Sequence, residues 1–286
     1  HGVARTRRFY KQVGICDLTA PWIIEDSKSS SSSSKEGEEA QTADSPISAG
    51  VDGTDSASGV VRGISHDTQH LVSLLTPKIT TNNDDVSWYG IQLDGRTLKT
   101  PQGNKLSVPS ASLACAIATE WNAQATYIIP TQMPLMTLAC TTLDQTVTQA
   151  DSMRNELMSY LRNDTTCFWA DPSLAEDRAL YRKQKSSWGE VITHSTDFLG
   201  SAPAQTLGTS EGLIATIRRR KDGPSGLPHP PEMYEAAESF LGSLDAWQLT
   251  AFYSIAREAK SFLVAMCVVM EQITPKAGAQ AARVEE

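Results

Sequence analysis

The chain has 286 residues, 40% of them apolar, and a formal charge of −8. This is enough for roughly one or two domains with a real core, while the longest apolar run, Phe262 to Met270, falls far short of the roughly 20 residues that a membrane-spanning helix needs. Thr19 to Asp85 holds eleven acids against four bases, a net of −7, so the remainder is nearly neutral and offers no field to gather nucleic acid or anionic lipid.

The chain begins at His1, and Arg5, Arg7 and Arg8 precede the first acid, Asp17. That pattern suits the tail of an Arg-rich, acid-poor mitochondrial presequence, or equally a solvated basic arm. Phe9 to Ile15, alternating around Val13 and Ile15, predicts a first strand. From Thr19 to Asp85 the chain becomes low-complexity, with unbroken serines from Ser29 to Ser34, then acids, Gly and Thr. Such a composition buries too little apolar surface to offset its ordering entropy, so this insert is expected to have no fixed structure. A sheet tolerates it because the cost of closing a loop grows only logarithmically with length.

Between Trp88 and Gln124 the pattern changes period. Tyr89, Ile91 and Leu93 share one face of an extended segment, and Asp94-Gly95 readily adopts the positive φ angles of a tight hairpin. Arg96 to Thr100 is expected to pair back. Pro101 to Asn104 makes a second turn and Lys105 to Val108 a third strand, stopped by Pro109. After Ser110, an N-cap residue, Leu113, Ile117 and Trp121 recur every fourth position beside Ala114 and Ala118, which predicts an amphipathic helix.

A helical body follows. Pro134 suits a first helical turn, with Leu135, Leu138, Ala139 and Thr142 as the buried face and Met153, Leu157 and Leu161 continuing it. Asn163 to Ala170 is a break. Tyr181, Gln184, Trp188, Val191, Ser195, Phe198 and Leu199 trace a stripe that ends at Gly200, a natural C-terminal cap. Arg218 to Lys221 is a basic run leading into a Pro/Gly loop. Met233, Ala237, Phe240 and Leu244 begin the next helix, and Asp245 caps another that carries Leu249, Phe252, Tyr253 and Ala256. Ser261 to Met270, apolar on all sides, predicts the centre of a helical bundle. The expected class is α+β: a small β-rich N-terminal domain over residues 1–130, interrupted by the insert at about 19–85, then a larger, mainly α-helical domain over 131–286 that breaks off in mid-helix.

Signatures of catalysis are sparse. The sequence has no GxGxxG after a strand, no GxxxxGK[ST] and no HExxH. Cys16, Cys115, Cys140, Cys167 and Cys267 are scattered without a CxxC pair, which argues against a disulfide framework or structural zinc; Cys115, Cys140 and Cys267 lie among apolar residues and read as core. His194 is the one histidine on a predicted helix, without an acid beside it. No catalytic, metal-binding or cofactor-binding residue is assigned. Paired carboxylates are the remaining route to acid/base work, through Glu120 or Asp144, although Glu120 could equally hold a helix end against a backbone donor.

The motifs RRFYKQV at 7–13, LDGRTLKTPQGN at 93–104, Glu120-Trp121, MPL at 133–135, LACTTLD at 138–144 and Trp188 together resemble the mitochondrial ATP synthase assembly chaperones that hold the alpha subunit of the catalytic head. The resemblance covers Arg7 to Cys16 and Trp88 to Glu286, and it implies a small β-rich domain before a larger helical one. It also implies a non-enzymatic, stoichiometric partner of the unassembled alpha subunit in the mitochondrial matrix, with no cofactor and no small-molecule substrate. AARVEE then becomes the start of an acidic terminal helix whose remainder is missing, which places Glu285 and Glu286 at the partner surface beside Glu120 and Trp121 as further candidates. The alternative the residues leave is a small acid/base enzyme using Glu120 or Asp144.

Overall fold

The computed structural model describes residues 6–18, 88–207 and 226–285. The insert at about 19–85, the run Arg218 to Lys221, Arg5 and Glu286 lie outside the described residues. Two compact units divide the chain, His1–Thr148 and Gln149–Glu286.

In the first unit, strand β1 (Val13–Leu18) pairs antiparallel with β2 (Trp88–Leu93), from Val13 opposite Leu93 to Leu18 opposite Trp88. Trp88, Ile91 and Leu93 of β2 are buried. Asp94 and Gly95 both take positive φ, 49° and 81°, as the expected hairpin requires. Asp94 also accepts from the backbone N–H groups of Gln12 (2.8 Å) and Lys11 (3.0 Å), and these bonds hold its carboxyl below the usual range. Strand β1 starts four residues later than the sequence suggests, because Tyr10 turns inward instead of continuing an alternation.

Strands β3 (Arg96–Thr97) and β4 (Ser107–Val108) both pair with β2, at opposite ends of the same edge. The expected second hairpin forms between them, Lys99 bridging to Lys105 and Leu106 N–H donating to Leu98 O (2.9 Å), and beyond it Ser107–Val108 goes on to pair with β2. A two-residue β3 leaves the edge of β2 open at Tyr89 and Gly90, and the chain returns there after the turn at Gly103, whose φ is 88°.

Helix α1 (Ala111–Asn122) starts where expected: Ser110 Oγ accepts from Leu113 N–H. It buries Ala114, Ile117 and Trp121. Cys115 falls on its opposite face and is exposed, which corrects the core assignment made from its apolar neighbours. The segment before β1 is part of this unit rather than a solvated arm. Arg7 bridges to Tyr127, Arg8 N–H donates to Thr126 O (3.0 Å), and the Arg8 guanidinium donates to the carbonyls of Gln124 (2.6 Å) and Asn122 (3.4 Å) at the end of α1. A cation there satisfies carbonyls that the helix leaves open.

Helix α2 (Pro134–Thr141) has Pro134 in its first turn, passes into one π-helical turn at Thr142–Thr146, and is followed by α3 (Val147–Arg162), which is interrupted at Gln149. The buried face is Met136, Ala139, Thr142 and Leu143, rotated from the expected one, with Leu135 and Leu138 only half-buried.

The second unit is built on α7 (Phe262–Val269), whose residues Phe262 to Cys267 are all buried, as an apolar run of that kind demands. Around it stand α3, α4 (Arg178–Leu199), α5 (Pro231–Ser243), α6 (Ala246–Ala259) and α8 (Pro275–Ala282). Phe240, Phe252 and Phe262 meet edge-on at 5.5 and 5.0 Å. Trp188 is buried, with its Nε1–H donating to Ala281 O at 2.8 Å. Gly200 closes α4 at φ 72°, and Asp245 caps α6 through a reciprocal box with Gln248. Strands β5 (Phe168–Trp169) and β6 (Thr206–Leu207) form a short parallel pair that the sequence does not announce. No helix among the described residues is long and apolar enough to cross a membrane.

Candidate functional site

Glu120 lies in the last turn of α1, and its carboxylate reaches the start of α2. Its two oxygens accept from Leu135 N–H (2.8 Å) and Met136 N–H (2.9 Å). Met133, the N-cap residue of α2, supplies no side-chain cap. Glu120 therefore caps a second helix in trans, placing its charge where the free N–H groups and the helix dipole favour it. Glu120→Ala is expected to lower stability by about 1–2 kcal/mol, the range of a lost N-cap. Urea titration of wild type and variant measures it, and an unchanged midpoint would contradict the capping role.

Trp121 presents 3% of its surface to solvent. Its ring packs edge-on to Tyr10 at 5.6 Å, and Tyr10 Oη–H donates to the Trp121 carbonyl at 2.6 Å. Burial pushes the Tyr10 hydroxyl pKa up. Trp121 thus acts from the core of the first unit and has almost no face to offer a partner.

Asp144, 7% exposed, sits in the π-helical turn. It accepts from Thr100 Oγ1 (2.6 Å), Asn104 Nδ2 (2.8 Å) and Gln102 N–H (3.2 Å), fastening the turn after β3 to the helical segment. The neighbouring Cys140 thiol is pushed up to about 12 by burial, with the Asp144 charge adding to the shift, so it stays protonated. Both carboxylates raised as acid/base candidates spend their oxygens on backbone and turn donors. This geometry supports anchoring over proton transfer.

Glu285 is exposed just after α8, and its Oε1 accepts from Gln184 Nε2 at 3.3 Å. Gln184 is itself buried, accepting from Ala170 N–H (2.8 Å) and donating to Phe168 O (3.3 Å). Glu285 belongs to the second unit and Glu120 and Trp121 to the first. Glu286 lies outside the described residues.

Two polar residues of structural weight escape sequence reasoning. Asp164 is fully buried and accepts from Thr166 N–H (3.0 Å), Thr166 Oγ1 (2.8 Å), Ser261 Oγ (2.8 Å) and Leu263 N–H (2.9 Å). His229 is 5% exposed; its Nδ1 accepts from Ala204 N–H (3.0 Å) and its Nε2–H donates to Leu161 O (2.9 Å). Burial holds that imidazole below its usual pKa, consistent with the neutral ring these bonds require. Their sequence signals, an Asn-Asp-Thr break and a His inside a Pro loop, are easily read as solvent-facing.

A cavity of about 240 Å³ opens in the second unit, lined by His194, Asp197, Phe198, Met266, Cys267, Met270 and Gln272. Among the described residues no group of three or more His, Cys, Asp or Glu could hold a metal ion.

Residues 77–196 match the family model described as ATP12 chaperone protein. Protein atp12, mitochondrial, of Schizosaccharomyces pombe is 29% identical over 187 residues, which are 63% of this chain and 59% of the relative. Protein ATP12, mitochondrial, of Saccharomyces cerevisiae is 27% identical over 205 residues, 65% of this chain and 62% of the relative. The chain thus spans about three fifths of the length of these curated relatives. The crystal structure of Atp12 from Paracoccus denitrificans superposes with a TM-score of 0.58 at 25% identity, covering 71% of this chain and 79% of that one. A crystal structure of an Agrobacterium tumefaciens protein, 22% identical with a TM-score of 0.58 over 69% and 67% of the two chains, shares the fold. The α+β class, with a small strand region before a mainly helical part, is common to these structures and this one.

Proposed function

We propose that this chain, whose residues 77–196 match the ATP12 chaperone family model, is an assembly chaperone of the mitochondrial ATP synthase. Its client is the unassembled alpha subunit of the catalytic head, and its place of action is the mitochondrial matrix. The family match carries this reading, supported by curated relatives named as mitochondrial proteins. The mode is stoichiometric and non-enzymatic. An alpha subunit waiting for its beta partner exposes an apolar face prone to self-association. A helical binder covers such a face reversibly and yields when the true partner buries more area. The structural use of Glu120 and Asp144 favours this mode over the acid/base alternative.

Capture from a mitochondrial extract by the full-length tagged protein tests the client. Alpha subunit is expected to be retained in clear excess over beta. Equal retention of both, or of neither, would sink the proposal.

Within this reading Glu285 and Glu286 face basic residues of the client. Changing both to Lys is expected to weaken alpha-subunit capture by setting like charges against each other. The melting temperature should stay close to wild type, because an exposed carboxylate contributes little to stability. Unchanged capture would remove the pair from the interface. Reduced capture with an equally reduced melt would assign Glu285 to its bond with Gln184.

A further inference from the structure

The cavity between the last turns of α4 and α7 has a chemistry of its own. Its volume, about 240 Å³, lies below the roughly 300–1,000 Å³ of small-molecule pockets and suits a single inserted side chain. Met266 and Met270 contribute apolar surface from α7 and the residue that ends it. Phe198, 44% exposed, stands on the rim, where its ring is held edge-on against Phe240 at 5.3 Å. An exposed aromatic fixed in this way costs conformational freedom and solvation without contributing to the core.

Along the stretches of the two helices that line it, the carboxylates stand without a Lys or Arg. From Ser186 to Leu199, α4 carries Glu190 and Asp197 with no Lys or Arg, and from Phe262 to Thr274 the chain carries Glu271 with none. His194, the titratable base of the lining, has its Nε2 3.7 Å from the Glu190 carboxylate. Both helices end at the cavity, α4 at Gly200 and α7 at Met270, so the negative ends of two dipoles converge there. Asp197 stands in the last turn of α4, where a carboxylate opposes the dipole, and it makes no ion pair among the described residues. Cys267 adds no reactivity, since burial pushes its thiol up to about 11.

We propose that this cavity receives an arginine side chain of the client, its stem against Met266 and Met270, its guanidinium beside Asp197 and over the Phe198 ring. Guanidinium stacks on an aromatic face and pairs with a carboxylate through a planar fork, and it gives up hydration more readily than an ammonium. The client's identity rests on the chaperone reading above; the preference for a cationic side chain rests on the cavity alone.

The test uses the full-length chain labelled at its methionine methyl groups, titrated with N-acetyl-Leu-Arg-Leu-amide and with the corresponding glutamine peptide. The Met266 and Met270 methyl resonances are expected to shift with the arginine peptide and not with the glutamine one, and Asp197→Asn is expected to abolish the shift. In parallel, Asp197→Lys should reduce alpha-subunit capture by about tenfold, the scale of a reversed charge in a partly desolvated contact, with the melting temperature unchanged. No methyl shift, or equal shifts with both peptides, would overturn the proposal. So would arginine-peptide binding with alpha-subunit capture untouched by Asp197→Lys, since the client would then dock elsewhere. If the arginine peptide binds as expected while the wild-type chain captures no alpha subunit, the cavity's cation preference stands and the chaperone reading is what fails.

Discussion

Asp164→Ala is expected to unfold the second unit at markedly lower denaturant, with a loss of about 4 kcal/mol or more. The substitution strands Thr166 N–H, Thr166 Oγ1, Ser261 Oγ and Leu263 N–H inside the protein, and each buried unsatisfied donor costs about 1–3 kcal/mol. The position is sensitive because Ser261 caps α7, the helix at the centre of the unit, and Asp164 orients that cap from 97 residues away. Asp164→Asn separates hydrogen bonding from charge: an amide oxygen can keep the bonds to Thr166 and Ser261, but its NH2 then faces Leu263 N–H, donor against donor. A smaller loss than for Ala is expected.

The pH dependence of Asp164 has a definite sign. Desolvation is the largest influence and raises its pKa above the ordinary 3.8, outweighing the hydrogen bonds that lower it. The native state therefore takes up this proton at higher pH than the unfolded chain does. The resulting stabilisation is complete below pH 3.8 and is lost as pH rises through the folded pKa. Comparing the stability of wild type and Asp164→Asn across that window should show wild type gaining on the variant as pH falls. A gap that widens with rising pH would contradict the buried, desolvated carboxylate.

Asp164 also marks where the sequence stops being legible. Features governed by neighbouring residues are readable: Asp94-Gly95 as a hairpin, Ser110 and Asp245 as caps, Gly200 as a helix stop, Phe262 to Cys267 as a buried helix. Each follows from a local backbone requirement or from hydrophobic period. The bonds that fix the units internally join residues far apart in sequence. Arg8 clasps the end of α1, Asp144 holds the turn at 100–104, and His229 ties Leu161 to Ala204. No periodicity encodes these pairings, so Arg8 resembles a basic arm and His229 a loop residue. The candidate site divides in the same way. Glu120 was readable as a helix-end partner, but which helix it caps depends on how α1 meets α2. The cavity at Asp197 and Phe198 exists only because two helices end side by side.

Trp121→Ala is expected to cost about 3–5 kcal/mol, the range for truncating a buried tryptophan. The ring closes the stripe of Ala114, Ile117 and Trp121 that α1 buries, and it meets Tyr10 edge-on at 5.6 Å. Removing it opens a cavity beneath Tyr10, whose hydroxyl is already committed to the Trp121 carbonyl. The segment from Thr6 to Tyr10 should loosen with it, since Tyr10 and the Arg8 guanidinium hold it to the end of α1. Trp121→Phe keeps part of the volume and the aromatic contact, so its loss should be clearly smaller. Because Trp121 Nε1 has no hydrogen-bond partner among the described residues, the Phe variant forfeits no polar contact with them. Denaturant titration followed by limited proteolysis near residues 6–10 reads both effects. A loss below about 1 kcal/mol for Trp121→Ala, with client capture abolished, would reverse the assignment and make Trp121 an interface residue. A large loss, with proteolysis accelerated at the N-terminal segment, would fix its role as the anchor that holds this segment against the helix.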